Sequence, residues 1–188
     1  DVSFDDLLDE TEAAFSFLGV LQRNRLVFWG QVDYLDLETD IVTPGGIEGD
    51  AESTATIATF AVGWQFGGWK PGQTFDVLAG VRQFSLDNEI SLDGVGAFKK
   101  DDDFTDGVVV IRPSLPLGER WRFNPTLSVG AGDSDITYEL WPQFQFQATD
   151  HLAARIGYRR LHYDVEGDRG NTFDGTFHGF VLGLGFLF

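Results

Sequence analysis

The sequence contains no cysteine and no methionine. The absence of cysteine excludes disulfide bonds, thiol catalysis and cysteine-ligated zinc, although it does not fix the compartment. No run approaches the roughly 18 consecutive apolar residues that a membrane-spanning helix needs. The N-terminus has no basic stretch followed by an apolar core, so we expect that any signal peptide has been removed.

Positive charge is also scarce. Lysine and arginine number 13 against 30 aspartates and glutamates, which gives a formal net charge of −17. Nucleic acid is therefore not an expected partner, because binding to phosphates needs clustered lysine and arginine. The chain is nevertheless 43% hydrophobic, which excludes a disordered acidic tail. Its 188 residues allow one domain of ordinary size.

Apolar and polar side chains alternate with period two from about residue 25 to the end of the chain. The alternation is clearest in residues 121–134 and 138–147, where a strand separates the two sets onto opposite faces and a helix would scatter them. In the first of these stretches one face carries Trp121, Phe123, Pro125, Leu127, Val129 and Ala131. The pattern predicts strands with one apolar face and one polar face.

The connections between these strands alternate in length. Short turns occur at Gly68–Gly72, Gly118–Glu119 and Thr149–His151. Long acidic, glycine-rich connections occur at Glu38–Ser53, Asp87–Asp103 and Asp164–Gly175. Transmembrane barrels combine such alternating strands with tight turns at one rim and longer loops at the other. The sequence therefore predicts an all-β fold, a transmembrane antiparallel up-and-down β-barrel.

The N-terminus leaves the number of strands open. Apolar residues at helical spacing predict a short helix at Phe4–Glu10, and Phe15–Gln22 can form an additional strand. We expect residues 1–12 to be a helical or loop segment and residues 13–188 to form the barrel, with eight to ten strands. Three prolines, Pro113, Pro125 and Pro142, lie inside predicted strands, where local bulges near the turn rim would accommodate them.

Charged residues on the polar faces form the candidate site. They are Asp33, Asp76, Arg82, Asp106, Arg112, Arg122, Glu139, Arg155 and Arg159. Charges inside a narrow barrel are tolerable only when they are paired, and the nearly balanced signs favour an internal network that plugs the lumen. The alternative is a charged ring in a water-filled pore.

Carboxylates concentrate in the predicted long loops. Such clusters can attract cations and can bind Ca²⁺ through oxygen ligands, but none of them has the spacing of an EF-hand. A solvated acidic face is the favoured interpretation, and we predict no cofactor and no specific metal site.

The candidate residues for an enzyme are His162 and His178, which lie close in sequence to Asp164 and Asp174. A lipid-modifying barrel enzyme would place a histidine at the outer rim, but acyl transfer also needs a nearby serine or threonine. No serine is suggested on these two strands. We therefore predict that the chain is not an enzyme, with a rim-active lipid-modifying enzyme as the alternative.

From Asp106 onward the sequence resembles small bacterial outer-membrane β-barrel proteins of the broad OmpA/OmpW-like group. Residues 132–135 with the strand at 138–147, the segment IGYRRLHY from Ile156 to Tyr163, and the ending GFVLGLGFLF carry this resemblance. It implies a porin-like barrel in the outer membrane, in contact with membrane lipid. It also implies that the barrel-assembly machinery reads a C-terminal signal made of Leu182, Leu184, Phe186 and Phe188.

Members of this group range from structural anchors to small pores, so the resemblance does not transfer an activity. The expected function is a structural or small-solute pore role in the outer membrane. An accessory subunit of a larger envelope complex is a further alternative.

Overall fold

The computed structural model describes residues 11–42, 48–92, 96–166 and 172–186, and all of the regular secondary structure within these ranges is β. The all-β prediction is confirmed. The helix predicted at Phe4–Glu10 lies outside the described residues. The first strand begins at Thr11, inside the segment that the sequence predicts to be helical or loop.

Eleven strands are described. They are β1 (Thr11–Arg23), β2 (Leu26–Val42), β3 (Glu48–Gly67), β4 (Thr74–Leu92), β5 (Gly96–Pro116), β6 (Trp121–Phe123), β7 (Thr126–Gly132), β8 (Ile136–Trp141), β9 (Gln143–Gln147), β10 (Leu152–Glu166) and β11 (Thr172–Phe186).

All eleven strands belong to one antiparallel sheet. β6 and β7 lie end to end against β5, and β8 and β9 lie end to end against β10, so the eleven strands occupy nine positions in the sheet. Neighbouring positions are consecutive along the chain, as in an up-and-down topology. Within the described residues, β1 pairs only with β2 and β11 pairs only with β10.

The sheet curls until strands that are distant in its order come into contact. Arg159 on β10 reaches Asp33 on β2, with Nη1 and Oδ2 2.8 Å apart. The ring of Phe84 on β4 packs edge-on against Phe177 on β11, with ring centroids 5.7 Å apart. The sheet therefore has an enclosed inner face and an outer face.

The outer face exposes many large apolar side chains, and charged side chains are buried on the inner face. On the outer face, Phe144 is 44% exposed, Phe180 67% and Leu184 73%. On the inner face, Arg82 and Asp106 are almost completely buried. Water-soluble proteins rarely expose a large continuous apolar surface.

The inner face is filled by two apolar clusters with a polar layer between them. The cluster nearer the short turns contains Val27, Trp29, Ala61, Leu78, Val108 and Val110. The cluster nearer the long hairpins contains Ala55, Ile57, Phe84, Leu161 and Tyr163. Gln31, Thr59, Arg82 and Glu139 lie between them and are also buried. The inner face therefore packs as a core in which a charged layer is enclosed by apolar side chains.

The prediction that residues 38–53, 87–103 and 164–175 are long loops is wrong for the described part of these ranges, and residues 43–47, 93–95 and 167–171 lie outside the description. Residues 38–42 and 48–53 continue β2 and β3, residues 87–92 and 96–103 continue β4 and β5, and residues 164–166 and 172–175 continue β10 and β11. The backbone hydrogen-bond ladder continues beyond the apolar part of the sheet. Acidic composition indicates solvent exposure, but it does not prevent a strand that is paired with its neighbours.

The prediction of bulges at the prolines is also wrong, because the register of the surrounding strands does not shift. The pairs Leu115↔Phe123 and Ile111↔Leu127 place Pro113 opposite Pro125. The pairs Phe123↔Phe144 and Thr126↔Trp141 likewise place Pro125 opposite Pro142. The three prolines thus form one row across three neighbouring positions of the sheet.

This row concentrates the missing backbone donors in one place. The Asn124 amide donates to the Gln143 carbonyl at 2.8 Å, so Asn124 faces β9 and Pro125 faces β5. Pro113 and Pro125 therefore meet at a position where neither residue has an N–H group. The carbonyl of Pro142 is still paired, because it accepts a hydrogen bond from the Tyr158 amide at 3.2 Å. The break between β6 and β7 follows from this local loss of donors.

Candidate functional site

Arg82 occupies the centre of the buried polar layer. Its Nη2 lies 2.7 Å from Glu139 Oε2 and also donates to Ser128 Oγ at 2.8 Å. Its Nε donates to Thr59 Oγ1 at 3.1 Å, and its Nη1 donates to Thr137 Oγ1 at 3.3 Å. All three guanidinium nitrogens thus have acceptors, as a buried arginine requires.

Arg159 extends the same network across the interior. Its Nε lies 2.6 Å from Glu139 Oε1, and its Nη1 lies 2.8 Å from Asp33 Oδ2. Asp33 also accepts hydrogen bonds from Ser16 Oγ at 2.6 Å and Gln31 Nε2 at 3.0 Å. The guanidinium of Arg159 stands over the ring of Trp141, 5.4 Å from its centroid. We call Asp33, Arg82, Glu139 and Arg159 the central ion network.

The central ion network has two positive and two negative side chains, so its formal charges cancel. Transfer of a single charge from water to a protein interior costs several kcal/mol after relaxation, and only a well-oriented partner offsets that cost. Each carboxylate of the network accepts from at least one arginine. The arrangement is what the fold needs in order to hold four charged groups inside the curled sheet.

A second cluster lies nearer the short turns. Arg112 Nη1 lies 3.4 Å from Asp76 Oδ2, and the Arg112 guanidinium stands 5.7 Å from the centroid of the Trp29 ring. Gln65 Nε2 donates to Asp76 Oδ1 at 3.0 Å, and Gln22 Nε2 donates to Gln65 Oε1 at 2.9 Å. These contacts join the five strands β1 to β5 at the inner face.

A third cluster connects Arg122 and Arg155 through uncharged side chains. Arg122 Nε donates to Ser114 Oγ at 3.0 Å, and Ser114 Oγ donates to Asn124 Oδ1 at 2.7 Å. Asn124 Nδ2 and Arg155 Nε both donate to Gln145 Oε1, at 3.0 and 3.1 Å. In the described part of the chain neither arginine forms an ion pair with a carboxylate.

The structure thus places eight of the nine predicted lumen charges in three groups. Asp33, Arg82, Glu139 and Arg159 form one network, Asp76 pairs with Arg112, and Arg122 is linked to Arg155 through amides and a hydroxyl. Asp106 belongs to none of these groups. Its carboxylate instead accepts from the backbone N–H and the hydroxyl of Ser134, at 2.9 and 2.8 Å, and so holds the turn between β7 and β8.

Charge counting misses the uncharged side chains that complete the network. Thr59, Ser128 and Thr137 supply hydroxyl acceptors to Arg82. The period-two pattern predicts that these three residues lie on the polar faces of their strands. It does not predict their contact with Arg82, because that contact depends on how the sheet curls.

His162 and His178 lie on the outer face of β10 and β11. A hydrogen bond of 3.0 Å links His162 Nδ1 and Thr176 Oγ1, and the His162 ring lies 4.7 Å from that of Tyr138. A second hydrogen bond of 2.9 Å links the Tyr158 hydroxyl and His178 Nδ1. The sequence pattern does not indicate Thr176 as the hydroxyl beside His162, because only the register of β10 and β11 places the two residues opposite each other.

Carboxylates on the outer face of the long hairpins form a cross-strand row. Glu38, Glu52, Glu89 and Lys99 occupy consecutive positions across β2 to β5. Lys99 Nζ lies 2.6 Å from Glu89 Oε2, and this hydrogen bond raises the pKa of Lys99 above its ordinary value. Among the described residues, no group of three or more histidines and carboxylates is arranged to hold a metal ion.

The described members of the predicted assembly signal share one face. Leu182, Leu184 and Phe186 point outward from β11, and each is more than 70% exposed. Phe188 lies outside the described residues.

Comparison with known proteins finds no matching protein-family model, no matching curated protein and no matching solved structure. In the ranges that the structure describes, no helix is long and apolar enough to cross a bilayer.

Proposed function

We propose that this chain is a β-barrel of the bacterial outer membrane with a filled lumen and a structural role in the envelope. The observation that carries this proposal is the exposed apolar outer face of a curled sheet that encloses charged side chains. Large apolar side chains cover the outer face, and the central ion network lies inside. Hydrocarbon around the sheet would bury the outer face without a second layer of protein.

The dimensions of the strands support a transmembrane placement. A tilted strand of about 9–11 residues crosses the hydrocarbon core of a bilayer. β2, β3, β4 and β5 have 17 to 21 residues each, so they are long enough to cross and to continue beyond it as hairpins. The acidic residues concentrate in these continuations, where they would face water.

The packed inner face supports a structural role in preference to a pore. Arg82 and Glu139 have no exposed side-chain surface, and an apolar cluster lies on each side of them. A continuous water path would need to pass through both clusters and through the central ion network. We therefore propose that the lumen is closed to ions.

Conductance in planar bilayers tests the closed lumen. The purified chain is refolded, and its insertion is verified first by heat-modifiable migration on a gel and by resistance to extraction at high pH. We expect no discrete single-channel steps from protein that passes both checks. Discrete steps that shrink in the Asp76→Asn variant would favour a cation-preferring pore and would overturn the structural proposal.

Localisation and assembly have a separate test. We propose that the outward row Leu182, Leu184 and Phe186, together with Phe188, is read by the barrel-assembly machinery. A Phe186→Ser variant should then accumulate outside the outer-membrane fraction, whereas Phe180→Ser, which changes the same strand further from its end, should be retained. Equal outer-membrane yields of the two variants would contradict this role.

A further inference from the structure

We infer that Arg160 and His178 form a binding site for the phosphate headgroup of an anionic membrane lipid, on the outer face of β10 and β11. This inference rests on the proposed membrane placement. It adds a specific lipid contact that a purely apolar outer face would not have.

The site lies where the outer face changes from apolar to polar. On β11 the outward residues Leu184, Leu182 and Phe180 are followed by His178, and on β10 the outward Tyr158 is followed by Arg160. Arg160 and His178 are direct cross-strand partners. The boundary of the apolar surface therefore passes just below this pair.

The height of the pair matches a membrane interface. Arg160 lies about nine residues after the turn at His151, which for a strand that rises about 3.3 Å per residue at a tilt of about 40° places it roughly 23 Å from that turn. The apolar band of an outer-membrane barrel is about 25 Å tall. The guanidinium of Arg160 would thus reach the headgroup layer and not the hydrocarbon.

Arg160 differs from the arginines of the inner face, because no acceptor for its guanidinium lies among the described residues. Arg82, Arg112, Arg122, Arg155 and Arg159 all lie on the inner face and have hydrogen-bond or ion-pair partners. Arg160 is exposed on the outer face, and no acceptor for it is found in the described part of the chain. A guanidinium that is free in this way offers its planar set of donors to a phosphate, which it binds through two parallel hydrogen bonds.

His178 is oriented by Tyr158 toward the same role. The hydrogen bond between the Tyr158 hydroxyl and His178 Nδ1 engages one ring nitrogen and leaves Nε2 as the ring nitrogen that can contact a phosphate. The Tyr158 ring packs edge-on against Phe180, with centroids 5.3 Å apart, which fixes the tyrosine at the upper edge of the apolar surface. Tyrosine is enriched at this depth because its ring is apolar and its hydroxyl is polar.

Arg160 is a cationic position on a protein whose overall charge is strongly negative. The formal net charge of −17 repels anionic lipid in general, and the long hairpins beyond the site are acidic. Arg23, Arg25 and Arg120 lie at the short turns, on the opposite rim. At the end of the sheet that carries the long hairpins, Arg160 is the outward-facing guanidinium among the described residues that an anionic headgroup at the bilayer surface could contact.

Native mass spectrometry of the refolded chain tests the inference. The protein is inserted into bilayers that contain equal amounts of phosphatidylglycerol and phosphatidylcholine, and the lipid adducts that survive detergent release are counted. We expect wild-type protein to retain phosphatidylglycerol in preference. Arg160→Gln combined with His178→Phe should lower that preference by about threefold to tenfold, the loss of one or two charge-assisted hydrogen bonds.

A matched control removes the same charge away from the bilayer. Lys99→Gln, on the long hairpin between β4 and β5, should leave the phosphatidylglycerol preference unchanged. Equal retention of the two lipids by inserted wild-type protein would overturn the lipid site while leaving the barrel proposal intact. Failure of the wild type to insert would instead overturn the barrel proposal. Displacement of the adduct by millimolar inorganic phosphate would assign the site to the free anion and overturn the lipid headgroup.

Discussion

Arg82 Nη2 lies 2.7 Å from Glu139 Oε2, and neither side chain has any exposed surface. The two residues are 57 positions apart in the chain and belong to β4 and β8, which are separated in the sheet by β5 and β7. Their contact therefore exists only because the sheet curls. It couples the closed shape of the sheet to the charge balance of its interior.

Removal of one member of this pair should destabilise the fold strongly. In the Glu139→Gln variant, Arg82 loses its buried carboxylate partner, and Arg159 loses one of its two carboxylate partners. We expect the free energy of unfolding to fall by about 3–5 kcal/mol, as for other broken buried ion pairs. Urea titration in lipid vesicles, followed by gel migration of the folded form, measures the change.

The apolar double variant Arg82→Met with Glu139→Leu separates the charge effect from the packing effect. It removes both charges and leaves Arg159 paired with Asp33, so its loss should be much smaller than that of Glu139→Gln. A double variant that is less stable than the single one would show that the pair contributes more than the cost of an uncompensated charge.

A charge on the outer face should reveal the solvent that this face contacts. Ile156 points outward and lies about five residues after the turn at His151, roughly 13 Å from it and near the middle of the apolar band. In a bilayer, Ile156→Arg should cost about 2–4 kcal/mol of folding free energy.

The control places arginine on the long hairpins. Glu52→Arg introduces the charge between Glu38 and Glu89, where the opposite sign is favourable, and it should not destabilise the protein. If Ile156→Arg were as stable as the wild type, or improved solubility without lipid, the outer face would be facing water or protein and the membrane proposal would fail.

Gly80 should not tolerate a side chain. It lies on β4, and a methyl group built there would overlap the Phe60 carbonyl oxygen and Ala61 on β3. Gly80→Ala should therefore lower the free energy of unfolding by at least about 1–3 kcal/mol, because the two strands must separate to admit it. Gly183→Ala is the matched control, since a methyl group at Gly183 meets no atom within 4 Å. Equal folding yields from the two variants would contradict the close approach of β3 and β4 at Gly80.

The Lys99–Glu89 pair predicts a pH dependence at alkaline pH. The hydrogen bond to Glu89 raises the pKa of Lys99 in the folded protein. The stabilising contribution of the Lys99–Glu89 pair is complete below the ordinary lysine pKa, and this contribution is lost as the pH rises through the raised pKa of Lys99. Side-chain nitrogen NMR should show Lys99 titrating at lower pH in Glu89→Gln than in the wild type. An unchanged titration would mean that Glu89 does not hold the ammonium in solution.

The face of each charged residue was predictable from the sequence, and its partner was not. Period two assigns Arg82 and Glu139 to the polar faces of their strands without any knowledge of the fold. Which carboxylate meets which arginine depends on the curl and on the register, which no local pattern encodes. Asp106 illustrates the difference, because its side chain faces inward as predicted but is used by the Ser134 turn.

The ends of the strands were predicted less well than their apolar centres. Residues such as Glu38 and Glu52 alternate with Leu37 and Ala51, but their acidity dominates the composition and indicates a loop. The ladder continues there because each strand still has a neighbour to pair with. The prediction of bulges at the prolines was wrong for a related reason. Only the register shows that Pro113, Pro125 and Pro142 fall in a single row.

The nine strand positions of the described residues have a consequence for the two margins of the sheet. Neighbours alternate in direction, so with an odd number of positions β1 and β11 point the same way along the axis. A cylinder built only from antiparallel neighbours requires an even number. The margins of β1 and β11 can therefore join each other only as a parallel seam with slanted hydrogen bonds. An antiparallel neighbour for both of them at once can come only from a strand outside the nine described positions.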